Sequence, residues 1–123
     1  MKEDFILKLV QIQNQFRFLH WQTTFEAKHK AYGKIYNNLG DLIDDFVEGM
    51  MGKYGRPQFP SEFMIAFQDI DSISLQKFID GCCEFLLGMS DQLDPKVDSD
   101  LLNLRDEMLL QFNKLKYLLT LKY

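Results

Sequence analysis

Helix-breaking residues are few in this sequence: 3 prolines and 7 glycines occur in 123 positions. Leucine, phenylalanine and methionine dominate the apolar residues over valine, a balance that favours helix over sheet. Cysteine is almost absent. Cys82 and Cys83 are adjacent, and on a helix neighbouring side chains point about 100° apart. A bond between them would be strained, which excludes a disulfide framework and makes them reduced core thiols. No apolar run nears the roughly 18 residues of a membrane-spanning helix. Nor does the Met1-Lys2-Glu3-Asp4 start lead into the unbroken apolar stretch of a signal peptide. The expectation is a cytoplasmic protein.

An excess of positive charge is also missing. Lysine and arginine total 14 against 18 aspartates and glutamates, a net charge of -4 and a pI near 5.1, so the field of the whole molecule repels nucleic acid. The ends, Lys2-Glu3-Asp4 and Lys122-Tyr123, supply no lysine-rich tail, and DNA binding is not expected. No nucleophile triad and no glycine-rich phosphate loop can be found. Hydrophobic residues nevertheless make up 46% of the chain, which argues for a packed core and against disorder. At 14.5 kDa, residues 1–123 suit a single domain.

Apolar residues recur at helical spacing in four stretches. Phe5, Leu9, Ile12, Phe16 and Leu19 predict a first helix ending near Gln22. Thr23 and Glu26 have the spacing of a capping box for a second helix, whose stripe runs Tyr32, Ile35, Tyr36, Leu39, Leu42, Ile43, Phe46 and Met50 up to the glycines before Pro57. After the Pro57 to Pro60 turn, Ser61-Glu62 predicts a short crossing helix holding Phe63, Ile65 and Phe67. A third helix, capped at Asp71 or Ser72, carries Leu75, Phe78, Ile79, Cys82, Leu86 and Met89 and ends at Asp94-Pro95. A fourth, capped at Asp98 or Ser99, carries Leu101, Leu104, Met108, Phe112, Leu115 and Leu119, with Lys114, Lys116 and Lys122 near its end. Four such stripes bury themselves best against one another, which predicts an all-α four-helix bundle. A long second-to-third crossover of the kind found in ferritin-like bundles is also expected.

The only two histidines, His20 and His29, flank the first turn, so their rings can converge. On the second helix Asp41, Asp44, Asp45 and Glu48 follow, and Asp44 and Glu48, four apart, share one face. Two imidazoles and two carboxylates suit Fe(II), and also zinc or manganese. His29 and Asp44, however, are separated by about 22 Å of helix axis. A single metal can use all four only if a two-fold-related subunit supplies the carboxylates. A ferritin centre within one bundle needs Glu-x-x-His on two helices, and here only Glu26 to His29 fits.

His20-Trp21, Phe25, His29, Asp41, Asp44, Glu48 and the glycine at Gly55 together resemble the Dps-like miniferritins of the ferritin-like superfamily, and the small Dps-related proteins of tailed phages. The resemblance covers the first two helices closely and the C-terminal half weakly. It implies ferroxidase ligands at His20, His29, Asp44 and Glu48, and Trp21 as a nearby electron donor. It further implies Fe(II) oxidation by hydrogen peroxide or dioxygen and ferric iron stored in a hollow dodecamer built on two-fold dimers, in defence against oxidative stress. The His20 to His29 interval is shorter than is usual in that family, and Gly49 stands where arginine is common. Both favour the alternative, a ferritin-like structural or interaction protein, phage-encoded and working in the host cytoplasm, whose metal site is vestigial.

Overall fold

The computed structural model describes residues 2–121, and the side chains of residues 3–121. Four α-helices form: α1 (Lys2–Gln22), α2 (Glu26–Tyr54), α3 (Leu75–Gly88) and α4 (Ser99–Leu118), with a 3-10 turn at Met89–Asp91 after α3. The described residues include no strand, and no helix among them is long and apolar enough to cross a membrane. Lys122 lies outside the described residues.

Side-chain pairs fix the directions. Gln13 reaches the carbonyl of Tyr36 while His20 reaches that of His29, so α1 and α2 are antiparallel. Asn38 bonds Gln111 at 3.0 Å, and a Cβ on Gly49 would meet Leu101, so α4 runs against α2. Phe5 meets Phe85 and Phe16 meets Phe78, which sets α3 against α1. The resulting order is up, down, down, up, and the connection from α2 to α3 must travel the length of the bundle. Phe16, fully buried, joins the layers: its ring lies 6.1 Å from Tyr32, 5.5 Å from Phe78 and 5.8 Å from Phe112, one aromatic from each other helix. Such contacts add to the area that an aromatic buries.

Most of the apolar residues read from spacing go inside, while Tyr36, Leu42, Leu75, Phe78, Leu104 and Leu119 are only partly buried. Phe5, Leu9, Ile12, Phe16 and Leu19 of α1, Ile35, Leu39, Ile43, Phe46 and Met50 of α2, and Leu101, Met108, Phe112 and Leu115 of α4 are all buried. The local start signals fare worse. Thr23 does not build a capping box; its hydroxyl accepts from the Phe25 N–H at 3.2 Å, and α2 begins after Phe25 with no side-chain cap. The α3 cap position is Ser74, not Asp71 or Ser72. That helix ends at Gly88, short of Asp94-Pro95, where the buried Arg105 guanidinium donates to the Leu86 carbonyl and to the Ser90 hydroxyl, each at 2.9 Å. Asp98 precedes α4 as expected. Its buried carboxylate, however, accepts from the Tyr54 hydroxyl at 2.5 Å and from the Asp94 N–H at 2.9 Å, and so ties the end of α2 to the start of α4.

The crossing helix does not form. Residues 55–74 run as an irregular strap over α1, held by a row of glutamines. Gln11 donates to the Ala66 carbonyl at 2.9 Å. Gln15 donates to the Gln68 carbonyl at 2.9 Å and accepts from the Gln68 N–H at 2.8 Å. Gln22 donates to Asp69 at 2.6 Å and accepts from the Ile70 N–H at 3.0 Å. Backbone groups that a helix would satisfy internally are satisfied by α1 instead, and Phe67 packs against Phe18 at 4.9 Å. The Asp71 N–H and the Gln22 amide hold the Asp69 carboxyl below the usual carboxylate range.

Two outcomes follow for the strap. Gln15 is 2% exposed, so Gln15→Leu, which orphans both backbone groups of Gln68, is expected to cost about 1–3 kcal/mol and to bring protease cleavage within residues 59–68; unchanged melting and cleavage would refute the anchoring. A carboxyl with a depressed folded pKa stabilises above its unfolded value and loses that contribution as pH falls through the folded one. Hydrogen exchange of residues 66–71 should therefore rise selectively below the unfolded Asp69 value of 3.8, and less so in Asp69→Asn, which has no such titration.

Candidate metal centre

His20 is in the last turn of α1 and His29 in the first turns of α2, and the hairpin stacks them. Their ring centroids are 3.8 Å apart with planes 17° from parallel. His20 Nδ1 is 2.7 Å from the His29 carbonyl oxygen, and His29 Nδ1 is 2.7 Å from that of His20. A carbonyl oxygen only accepts, so both Nδ1 atoms must carry the proton. In the neutral rings Nε2 is then the atom with the free lone pair. A backbone carbonyl behind Nδ1 is also the arrangement that orients histidine ligands in metal sites.

Gly33 makes the stack possible, and local pattern does not reveal it. A Cβ there would lie 2.8 Å from His20 Cε1 and 2.9 Å from its Nδ1, so the ring rests on bare backbone. Gly40 does the same for Gln13, whose Nε2 would be 2.9 Å from an added Cβ. The matching intervals gain meaning only once α1 and α2 are paired: Gln13 and His20 are seven apart on α1, as are Gly33 and Gly40 on α2, two turns of antiparallel helices at close approach.

The other residues of the expected site are elsewhere. Asp41, Asp44, Asp45 and Glu48 are exposed along α2, and among the described residues no group of three or more His, Cys, Asp and Glu is placed to hold a metal ion. Glu26 of the Glu-x-x-His sequence pairs with Lys30 at 3.2 Å. Trp21, 58% exposed, lies edge-on to Phe18 with the Arg17 guanidinium 4.8 Å from its ring centre. Lys28 sits over the exposed Phe25 ring at 5.1 Å. Cys82 and Cys83 are buried free thiols, and burial pushes the Cys82 thiol up to about 12, which leaves it without thiolate character.

A family model described as a family of unknown function (DUF5856) matches residues 20–119. Over 120 residues, 98% of this chain and 88% of the relative, the sequence is 31% identical to an uncharacterized 14.6 kDa protein in the mobD-ri intergenic region of Enterobacteria phage T4. No solved structure matches.

Gly33→Ala is expected to push the His20 ring off its seat at a cost of about 1–3 kcal/mol. Both hydrogen-bonded imidazole Nδ1–H resonances are expected to disappear from the proton NMR spectrum. Retention of both signals would mean that the glycine does not position the pair.

Proposed function

We propose that this chain, which belongs to the DUF5856 family, is a Dps-like iron-binding protein that oxidises Fe(II) at inter-subunit sites and sequesters the ferric product in a hollow oligomer. The observation that carries the reading is the stacked His20–His29 pair with both Nδ1 atoms anchored on backbone. Two preoriented Nε2 donors are half of a ligand set, and Asp44 and Glu48 of a neighbouring copy would supply the oxygen half. The antiparallel α1–α2 hairpin and the long α2-to-α3 crossover support a ferritin-like arrangement.

Iron is the substrate. Each Fe(II) gives up one electron, and hydrogen peroxide accepts two together with two protons to yield two waters, so two Fe(II) are consumed per peroxide. The chain's part is to hold the iron and set its surroundings. The carbonyls of His20 and His29 fix the rings, the imidazoles bind without adding charge, and the carboxylates offset the charge gained on oxidation. Where a site holds a single Fe(II), Trp21, adjacent to His20 and exposed, would supply the second electron that peroxide takes and become a tryptophan radical. Zinc or manganese would occupy the same donors.

A second reading has an observation of its own. The reciprocal ring bonds already satisfy both Nδ1 atoms, so the pair also works as a plain clasp for the hairpin, in a ferritin-like structural or interaction protein with a vestigial site. The phage relative fits either reading, in the cytoplasm of an infected host.

Anaerobic Fe(II) titration with light scattering on the same sample separates them. Saturation at about one iron per subunit on a symmetric assembly is expected, with His20→Ala and Asp44→Ala each abolishing fast oxidation while helical content stays unchanged. No saturable binding, or unaltered rates in both variants, would leave the structural reading.

A further inference from the structure

A cavity of about 350 Å³ opens where the α1–α2 turn meets the end of the strap and the start of α3, large enough for a small organic molecule. Leu19, Ile70, Ile73 and Leu75 give it apolar walls, and Tyr32 reaches it from α2. Tyr32 is 2% exposed. Among the described residues its hydroxyl meets no hydrogen-bonding partner, and none of their fully buried side-chain polar atoms is left without one. The hydroxyl is therefore the part of that side chain open to the cavity. Burial raises its pKa, which keeps the phenol protonated at neutral pH and able to donate as well as accept. Lys28 and Asp71, both exposed, line the same cavity. Lys28 is one turn before Tyr32 on the same face of α2, and its ammonium makes only the contact over the Phe25 ring. Asp71 sits in a fixed turn: the Asp69 carbonyl accepts from the N–H groups of Ser72 and Ile73, the Asp69 carboxylate accepts from the Asp71 N–H, and Gln22 holds Asp69 and Ile70 to α1. Among the described residues neither Lys28 nor Asp71 is in an ion pair, with the other or with anything else.

We propose that this cavity binds a free aromatic α-amino acid whose ring ends in a polar group, with tyrosine as the simplest example. The ring lies against the apolar walls, the carboxylate accepts from the Lys28 ammonium, the ligand's own ammonium faces the Asp71 carboxylate, and the polar tip bonds the Tyr32 hydroxyl. Each unpaired group of the cavity then has a counterpart. Lys28 and Asp71 keep one side in water, so they select a zwitterion more than they add affinity. Tyr32 is the sharper filter. Its hydroxyl is enclosed, and a ligand that displaces water without offering it a polar atom leaves it orphaned, which costs more than a matched bond returns. The turn at residues 69–73 and the first turns of α2 are held by bonds that the ligand does not touch, so both sides of the cavity are in place before anything binds. None of these residues is among the proposed iron ligands, and the site is complete within one chain.

The test titrates isotopically labelled, metal-free full-length protein with L-tyrosine and reads the amide chemical shifts. Saturable shifts clustered at residues 19–32 and 69–75 are expected at millimolar ligand. Tyramine lacks the carboxylate, desaminotyrosine the ammonium and L-phenylalanine the hydroxyl, and each should bind about 3- to 10-fold more weakly than tyrosine. Every preference has its own variant. Tyr32→Phe should erase the preference over phenylalanine and leave the melting temperature unchanged, because the hydroxyl it removes bonds nothing in the protein. Lys28→Gln should erase the preference over tyramine, and Asp71→Asn that over desaminotyrosine; both positions are exposed, so the fold tolerates the change. No saturation, shifts confined to other residues, or preferences that survive these substitutions would overturn the site. So would a lowered melting temperature in Tyr32→Phe, since the hydroxyl would then be serving the fold and not a ligand.

Discussion

Everything near the histidines depends on the register of the α1–α2 hairpin, and that register is set in the core by Phe16. Its ring meets Tyr32, Phe78 and Phe112, so a slip of α1 by one residue would take it away from three helices at once. Truncating a buried phenylalanine costs about 3–5 kcal/mol, a large part of the 5–15 kcal/mol typical of a whole domain. His20 is one turn beyond Phe16, and His29 one turn before Tyr32. The histidine stack is therefore the next rung of the same ladder, and its geometry is inherited from packing that has no interest in metal chemistry. A rigid apolar rung beneath a polar one is how a fold preorganises donors without spending their own interactions on it.

The strap shows a different economy. An irregular connection has to satisfy backbone groups that a helix would satisfy within itself, and here side chains of α1 do so. Gln11, Gln15, Phe18 and Gln22 recur at four, three and four, a second stripe on α1 beside the apolar one. It faces the strap as the first faces the core. α1 is thus a two-sided template, which explains why it carries so many uncharged polar residues and why Gln15 is buried without being orphaned.

The helices themselves were legible because burial of an amphipathic stripe is a local, periodic signal. Phe5 to Leu19 and Leu101 to Leu115 went where their spacing put them. What was not legible depended on partners far along the chain. Ser61-Glu62 has the look of a helix start, but nothing in residues 61–69 announces that Gln15, over fifty positions earlier, will hold the backbone of Gln68. Thr23 and Glu26 had the capping spacing, yet the turn uses the threonine hydroxyl one residue too early and Glu26 pairs forward with Lys30. Nothing local marks Arg105 as buried, because the Leu86 carbonyl to which its guanidinium donates lies on another helix. Of the candidate site, the approach of the two histidines followed from their position astride a short turn. Gly33 did not, because a small residue gains meaning only when something large is seen to rest on it.

The length of α2 follows from the number of things asked of it. Its inward face supplies seven buried residues, its flank toward α1 offers the glycines on which Gln13 and His20 lie, and its outward face carries charge in two blocks. Within one chain the blocks work against the helix. Like-charge neighbours four apart cost about 0.2–0.5 kcal/mol each, and lysines such as Lys28 in the first turn oppose the positive end of the helix dipole. Interspersing the same residues would have turned those repulsions into i,i+4 attractions at no cost to the core.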